Sequence, residues 1–136
     1  MAPPVEGSAT STTTLEVTWG TVSSLNDGGS TVTSYNLYWD QGIGSWVTLV
    51  GQSSSYLGTS YTIGVGIMQG ATYTFKVRAE NMWGFGPFST TTSIVASTVP
   101  SQVTNVTTLI DPTTGNVLIQ WSGPSSNGAA ITAYLI

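Results

Sequence analysis

Side chains that could perform chemistry are scarce in this sequence. Among 136 residues there is no histidine and no cysteine, and the charged side chains number two basic and six acidic. Without histidine the commonest general base and metal ligand is missing. Without cysteine there is no thiol nucleophile, thiolate metal site or disulfide framework. The carboxylates Glu6, Glu16, Asp27, Asp40, Glu80 and Asp111 are spread over the chain rather than paired. Asp27 and Asp111 stand in turn sequences, where an Asp side chain caps its own backbone. A calcium ion at Asp111 would lack a cluster of oxygen ligands. The chain therefore reads as non-enzymatic, with no catalytic, metal or cofactor-binding residue.

Binding chemistry has more to work with. Lys76 and Arg78 are the only basic side chains, and their spacing puts both on one face of a strand. Tyr38, with Trp46 beyond it, could stack on these cations; a plain solvated face is the alternative. The segment Asn81-Met82-Trp83-Gly84-Phe85-Gly86-Pro87-Phe88 places four large apolar side chains in an expected loop. Met82, Trp83, Phe85 and Phe88 could form a partner-contact patch. The expectation, however, is that Trp83 and Phe88 fold down over the open end of the core. Asn105-Val106-Thr107 is an N-glycosylation triplet whose use depends on secretion. Two basic side chains are too few to displace the counterions of a phosphate backbone, and no polybasic patch exists for an anionic membrane.

The elements that must position these residues read as strands. Leu15, Val17 and Trp19 alternate with polar residues, as do Tyr35, Leu37 and Trp39, and Tyr73, Phe75, Val77 and Ala79. Shorter pieces surround Val47 and Leu49, then Tyr61 and Ile63. An edge strand is expected near Val5 to Thr10 and a last one from Thr90 to Val95. Glycine-rich turn signals separate the runs, at Asn26 to Gly29, Gln41 to Gly44, Gly51 to Gly58, Gln69-Gly70 and Gly84 to Pro87. About seven short strands without a helical period signal an all-β, two-sheet sandwich, with an up-and-down barrel as competitor.

Composition agrees with a buried core: 40% of residues are hydrophobic and the mean hydropathy is +0.17. Only 6% are charged, against about a quarter in an ordinary soluble domain. Ser and Thr fill roughly 30% of positions, so solubility rests on hydroxyls and backbone. Such a surface suits an extracellular or filamentous setting. No apolar run approaches the roughly 20 residues of a membrane helix, and Met1-Ala2-Pro3-Pro4 lacks the regions of a signal peptide.

Near residue 100 the pattern restarts. Val99-Pro100-Ser101 reads as a short linker stiffened by proline. Val117, Ile119 and Trp121 then copy Leu15, Val17 and Trp19, and Ile131-Thr132-Ala133-Tyr134 copies Val32-Thr33-Ser34-Tyr35. The offset from Trp19 to Trp121 is 102 residues, and from Tyr35 to Tyr134 it is 99. A period of this size is one sandwich module. The expected domains are thus residues 1–98, a linker at 99–101, and 102–136 as a second copy that stops in its third strand.

These residues resemble the fibronectin type III family. Trp19 matches its strand-B tryptophan, and Val32, Tyr35 and Leu37 match its strand-C pattern. Ile67, Gln69, Gly70, Tyr73, Phe75, Val77, Ala79 and Asn81, then Gly84, Gly86 and Ser89, follow its strand F and the turn after it. Gln69 departs from the family's frequent proline. No Arg-Gly-Asp is present, nor the cysteines and Trp-Ser-x-Trp-Ser motif of cytokine receptors. The resemblance implies an immunoglobulin-like, seven-stranded sandwich in which Tyr73 is the structural corner tyrosine. It also implies a structural or adhesive spacer of a large extracellular surface or filament-forming protein, with neighbouring modules or other copies as partners. A receptor-like ectodomain using residues 81–88, an intracellular spacer and an accessory module of an enzyme are the alternatives.

Overall fold

A computed structural model describes residues 1–136, and every regular element in it is a strand. In chain order these are β1 (Val5–Glu6), β2 (Leu15–Thr18), β3 (Ser34–Trp39), β4 (Val47–Val50) and β5 (Ser60–Ile63). They are followed by β6 (Thr72–Asn81), β7 (Gly84–Phe85), β8 (Thr92–Val95), β9 (Thr104–Ile110) and β10 (Val117–Ser122). One sheet has the order β1-β2-β5. The other runs β4-β3-β6, with β7 and β8 both paired to β6. All pairs are antiparallel. The two ladders stay separate, so the barrel alternative is excluded and the fold is a sandwich.

The period-two pattern explains which side chains meet between the sheets. Leu15 and Val17 from β2 face Leu37 from β3 and Phe75 and Val77 from β6, all fully buried. Trp19, Tyr35, Ile63, Tyr73, Ile94 and Ala96 complete a core confined to residues 15–96. Burying each large side chain contributes about 1.5–3 kcal/mol, and the eleven together make the first hundred residues a self-sufficient module.

Two strand boundaries differ from expectation. The edge strand near Val5 to Thr10 shrinks to β1, because the Glu16 side chain lies on Gly7 and captures the Ala9 N–H at 2.9 Å. The last strand, expected from Thr90 to Val95, starts at Thr92 as β8, and an extra short strand, β7, forms in the expected Gly84 to Pro87 turn; between them Pro87 has no N–H to give to a ladder. Ser89 repairs the gap: its Oγ accepts the Val77 N–H at 3.1 Å, and its own N–H donates to the Val77 carbonyl at 2.8 Å. The family's seven-strand count is kept if β7 and β8 are taken as one interrupted strand.

Beyond residue 98 the strands β9 and β10 form a hairpin of their own. Its register repeats that of β1 and β2. Glu6 pairs with Val17, and Thr108 with Ile119; Val5 pairs with Thr18, and Thr107 with Gln120. Each later residue lies 102 positions after its counterpart. Val117 and Ile119 are 66% and 37% exposed, whereas Leu15 and Val17 are at 0%. The expected start of a third strand is not formed: residues 131–136 carry no regular structure. The corresponding β3 is held between β4 and β6, and this segment has neither neighbour. Tyr134 packs instead against Trp121, with ring centroids 5.3 Å apart.

Candidate interaction face

The outer face of the five-stranded sheet carries the chain's only two cations. Cross-strand register sets Lys76 of β6 opposite Tyr38 of β3, and Arg78 opposite Asn36. Trp46, just ahead of β4, and Phe88, between β7 and β8, close over them. The Lys76 ammonium stands 4.0 Å from the Trp46 ring centre and 4.6 Å from that of Phe88. The Arg78 guanidinium stands 4.4 Å from Phe88 and 3.9 Å from Phe85 of β7. Tyr38 meets Phe88 edge to face at 5.1 Å and lies within 5.9 Å of both cations. The result is an alternating ladder of Trp46, Lys76, Phe88, Arg78 and Phe85. Ring quadrupoles attract each cation by about 0.5–1 kcal/mol at partly exposed sites.

Beneath the ladder lies a polar side chain on the face of β3 opposite Tyr35 and Leu37. Asn36 is wholly buried. Its Oδ1 accepts the Arg78 Nε–H at 2.9 Å, and its Nδ2 donates to the Val50 carbonyl at 2.9 Å. The bonds tie β6, β3 and β4 together across the sheet. No signal in the sequence announced this, because a period-two pattern gives a face but not what covers it.

Residues 81–88 have two kinds of surroundings, with Phe85 bordering both. Phe85 and Phe88 belong to the ladder, while Met82 and Trp83 sit at the turn tip, where Trp83 is 77% exposed. The expectation that Trp83 and Phe88 cap the core is therefore corrected. Val22 and Val32 cover that end instead, and the Val22 N–H donates to the Tyr35 hydroxyl at 3.1 Å. Asn81 aims the turn outward: its Oδ1 accepts the Trp83 N–H at 2.9 Å and its Nδ2 donates to the Asp27 carbonyl at 2.6 Å. Beside Trp83 opens a cleft of about 770 Å³, lined by Met1, Val22, Val32, Asn81 and Phe85 among others.

The remaining candidates have structural surroundings. Tyr73 is buried, its hydroxyl donating to the Gly66 carbonyl at 3.2 Å and accepting the Met68 N–H at 2.8 Å. Gly42, at φ 73°, sits beside its ring, where an added Cβ would come within 3.2 Å of it. Burial pushes the Asp40 carboxyl up, but N–H donors from Thr74 and Gly42, each 2.9 Å away, outweigh it and hold the group below the ordinary aspartate range. Asp111 caps its turn by accepting the Thr113 N–H at 2.8 Å, which lowers its carboxyl too. Asn105 adopts a left-handed φ of 53° where β9 pairs irregularly with the end of β10, and its Nδ2 donates to the Ser122 hydroxyl at 3.2 Å. Tyr56, which no pattern flagged, packs on Trp19 with centroids 6.2 Å apart.

Two antiparallel sheets, a strand-end tryptophan in the core and a tyrosine corner define an immunoglobulin-like β-sandwich module. Residues 2–95 match the fibronectin type III domain family, and the chain belongs to it. It is 30% identical over 109 residues to fibronectin type-III domain-containing protein 3a of chicken (Gallus gallus), a match covering 79% of this chain and 9% of that protein. The chain thus spans about a tenth of the length of the curated relatives it matches. Among solved structures it is similar to the sixth fibronectin type III domain of human fibronectin type III domain containing protein 3. That match has a TM-score of 0.56 and 32% identity, covering 74% of this chain and 89% of that one. The fold of chicken CNTN1 domains FN1–FN3 aligns over 98% of this chain and 45% of that one, with a TM-score of 0.54 and 21% identity. Modules of this family are typically structural and binding units rather than enzymes.

Proposed function

We propose that this chain is a structural and adhesive segment of a larger extracellular surface or filament-forming protein, in which like modules stand in series. It would act by spacing and by protein–protein contact, with neighbouring modules or further copies as partners. The observation that carries this reading is the repeated register of β1–β2 in β9–β10, at an offset of 102 residues in both strands. The apolar row Val117, Ile119 and Trp121 then corresponds to core positions of the first module, and the strands following in a second module would cover it. The fold likeness to CNTN1 FN1–FN3, extending over nearly the whole chain, supports the serial arrangement. The low charge of 6% and the exposed Asn105 triplet support an extracellular setting.

The test is to complete the second sandwich with strands known to fit. A chimera of residues 1–134 followed by residues 36–98 makes Tyr134 stand where Tyr35 does. Trp121 emission should shift to the blue, and amides of residues 117–122 should gain exchange protection. Residues 104–122 that still exchange freely while the first module is folded would defeat the serial reading. The exposure of Met82 and Trp83 beside the cleft favours a second reading, capture of a ligand at that tip, which saturable quenching of Trp83 emission would reveal.

A further inference from the structure

The two ends of the first module are matched surfaces. At its exit end the loop 124–128 already lies against the β5–β6 corner and the segment leaving β8. Thr98 and Ser101 donate their N–H groups to the carbonyls of Asn127 and Ser125 at 3.1 and 3.0 Å. The Asn127 amide nitrogen donates to the Val99 carbonyl at 2.8 Å. This seat admits bare backbone only: a Cβ on Gly128 would stand 2.7 Å from the Ala96 carbonyl oxygen and 3.0 Å from the Gly70 nitrogen. Val65, Met68 and Val99 are exposed on the corner and exit segments that make up this end.

At the entry end, the loop that corresponds to 124–128 lies open. Asn127 and Gly128 take left-handed φ values of 49° and 93°; Gly28 and Gly29, each 99 positions earlier, take 72° and 76°. The shared conformation makes the two loops alike in backbone. A Cβ on Gly29 would meet nothing within 4 Å, where the same position in the later loop is pressed against the preceding module. Leu25, Met82 and Trp83 stand exposed on the loops of this end, Trp83 beside the cleft. Exposed apolar side chains on two loops tied together by the Asn81–Asp27 hydrogen bond mark a contact site.

We propose that the Gly28–Gly29 loop, with Leu25, Met82 and Trp83, is the docking surface for the exit end of a second copy of this module. Gly70 and Ala96 of that copy seat on Gly29 as they seat on Gly128 within this chain, and its apolar Val65, Met68 and Val99 meet the apolar rim. The proposal rests on the serial reading above and adds a face, an occupant and a fixed geometry to it. Covalent linkage supplies the millimolar effective concentration that so small a contact needs.

A concatemer of residues 1–103 joined to residues 2–98 keeps the 102-residue offset and carries no native 124–128 loop. Each copy folds by itself, since the core lies within residues 15–96. Amide shifts and hydrogen exchange are compared with those of the single module 1–98. The expected result is shifted resonances for Gly28 and Gly29 of the second copy and Gly70 of the first, with exchange at Thr98 of the first copy slowed about tenfold. Gly29→Val in the second copy should abolish both effects. Should that variant misfold, Trp83→Ser in the second copy, at a side chain 77% exposed, is expected to weaken the slowing without touching the core. A concatemer spectrum equal to the sum of two folded single modules overturns the docking face. It leaves the serial reading standing, because that reading is decided by whether Trp121 can be buried.

Discussion

Tyr73 shows how one hydroxyl can be both donor and acceptor, closing a corner between the Gly66 carbonyl and the Met68 N–H above a buried ring. Tyr73→Phe keeps the ring and leaves the Met68 N–H unpaired, so the module should lose about 1–2 kcal/mol. An unchanged urea midpoint would show that the corner bond contributes nothing. Asp40 makes a second prediction at this scale. Its folded carboxyl titrates below its unfolded value, so its contribution is complete above the unfolded pKa of about 4 and is lost as pH falls through the folded one. Between pH 6 and pH 2.5 the native module should therefore lose more stability than Asp40→Ala. Parallel pH profiles for the two proteins would refute this.

Among the elements, the sheet β4-β3-β6 has a cover on each side: the core beneath and the cation–aromatic ladder above. The ladder lets Asn36 be buried, because Arg78 and the Val50 carbonyl supply the partners that solvent otherwise would. If the stack is energetic rather than incidental, Lys76 and Trp46 are coupled. A double-mutant cycle with Lys76→Met and Trp46→Ala, read by urea unfolding, should give a coupling of about 0.5–1 kcal/mol. Strict additivity would mean that the 4.0 Å approach is only a surface arrangement.

At the scale of the whole molecule, stability is divided unevenly. The eleven core residues all lie within residues 15–96, while β9 and β10 form a two-stranded ribbon with its apolar side chains exposed. Such a ribbon is marginal in water by itself. In the chain 1–136, amides of β9 and β10 should exchange orders of magnitude faster than those of β3 and β6, whose opening requires loss of the core. Equal protection in both regions would show that the ribbon is held by contacts stronger than those at the 98–101 junction.

How far the sequence reaches differs by feature. Period-two alternation determined the strands and the buried set Leu15, Val17, Trp19, Tyr35, Leu37, Phe75 and Val77, because a pleated strand sends successive side chains to opposite faces. The family resemblance carried by Ile67, Gln69, Gly70 and Tyr73 likewise pointed to the tyrosine corner, a local structure closed over the few residues from Gly66 to Tyr73. The end of β1, the break around Pro87 and the burial of Asn36 needed the tertiary structure. Each depends on a side chain distant in sequence: Glu16 on Gly7, Ser89 on Val77, Arg78 and its aromatic neighbours on Asn36. A run of apolar residues states that burial is favourable, and only packing across sheets decides which of them find a cation, which line a cleft, and which stay in water.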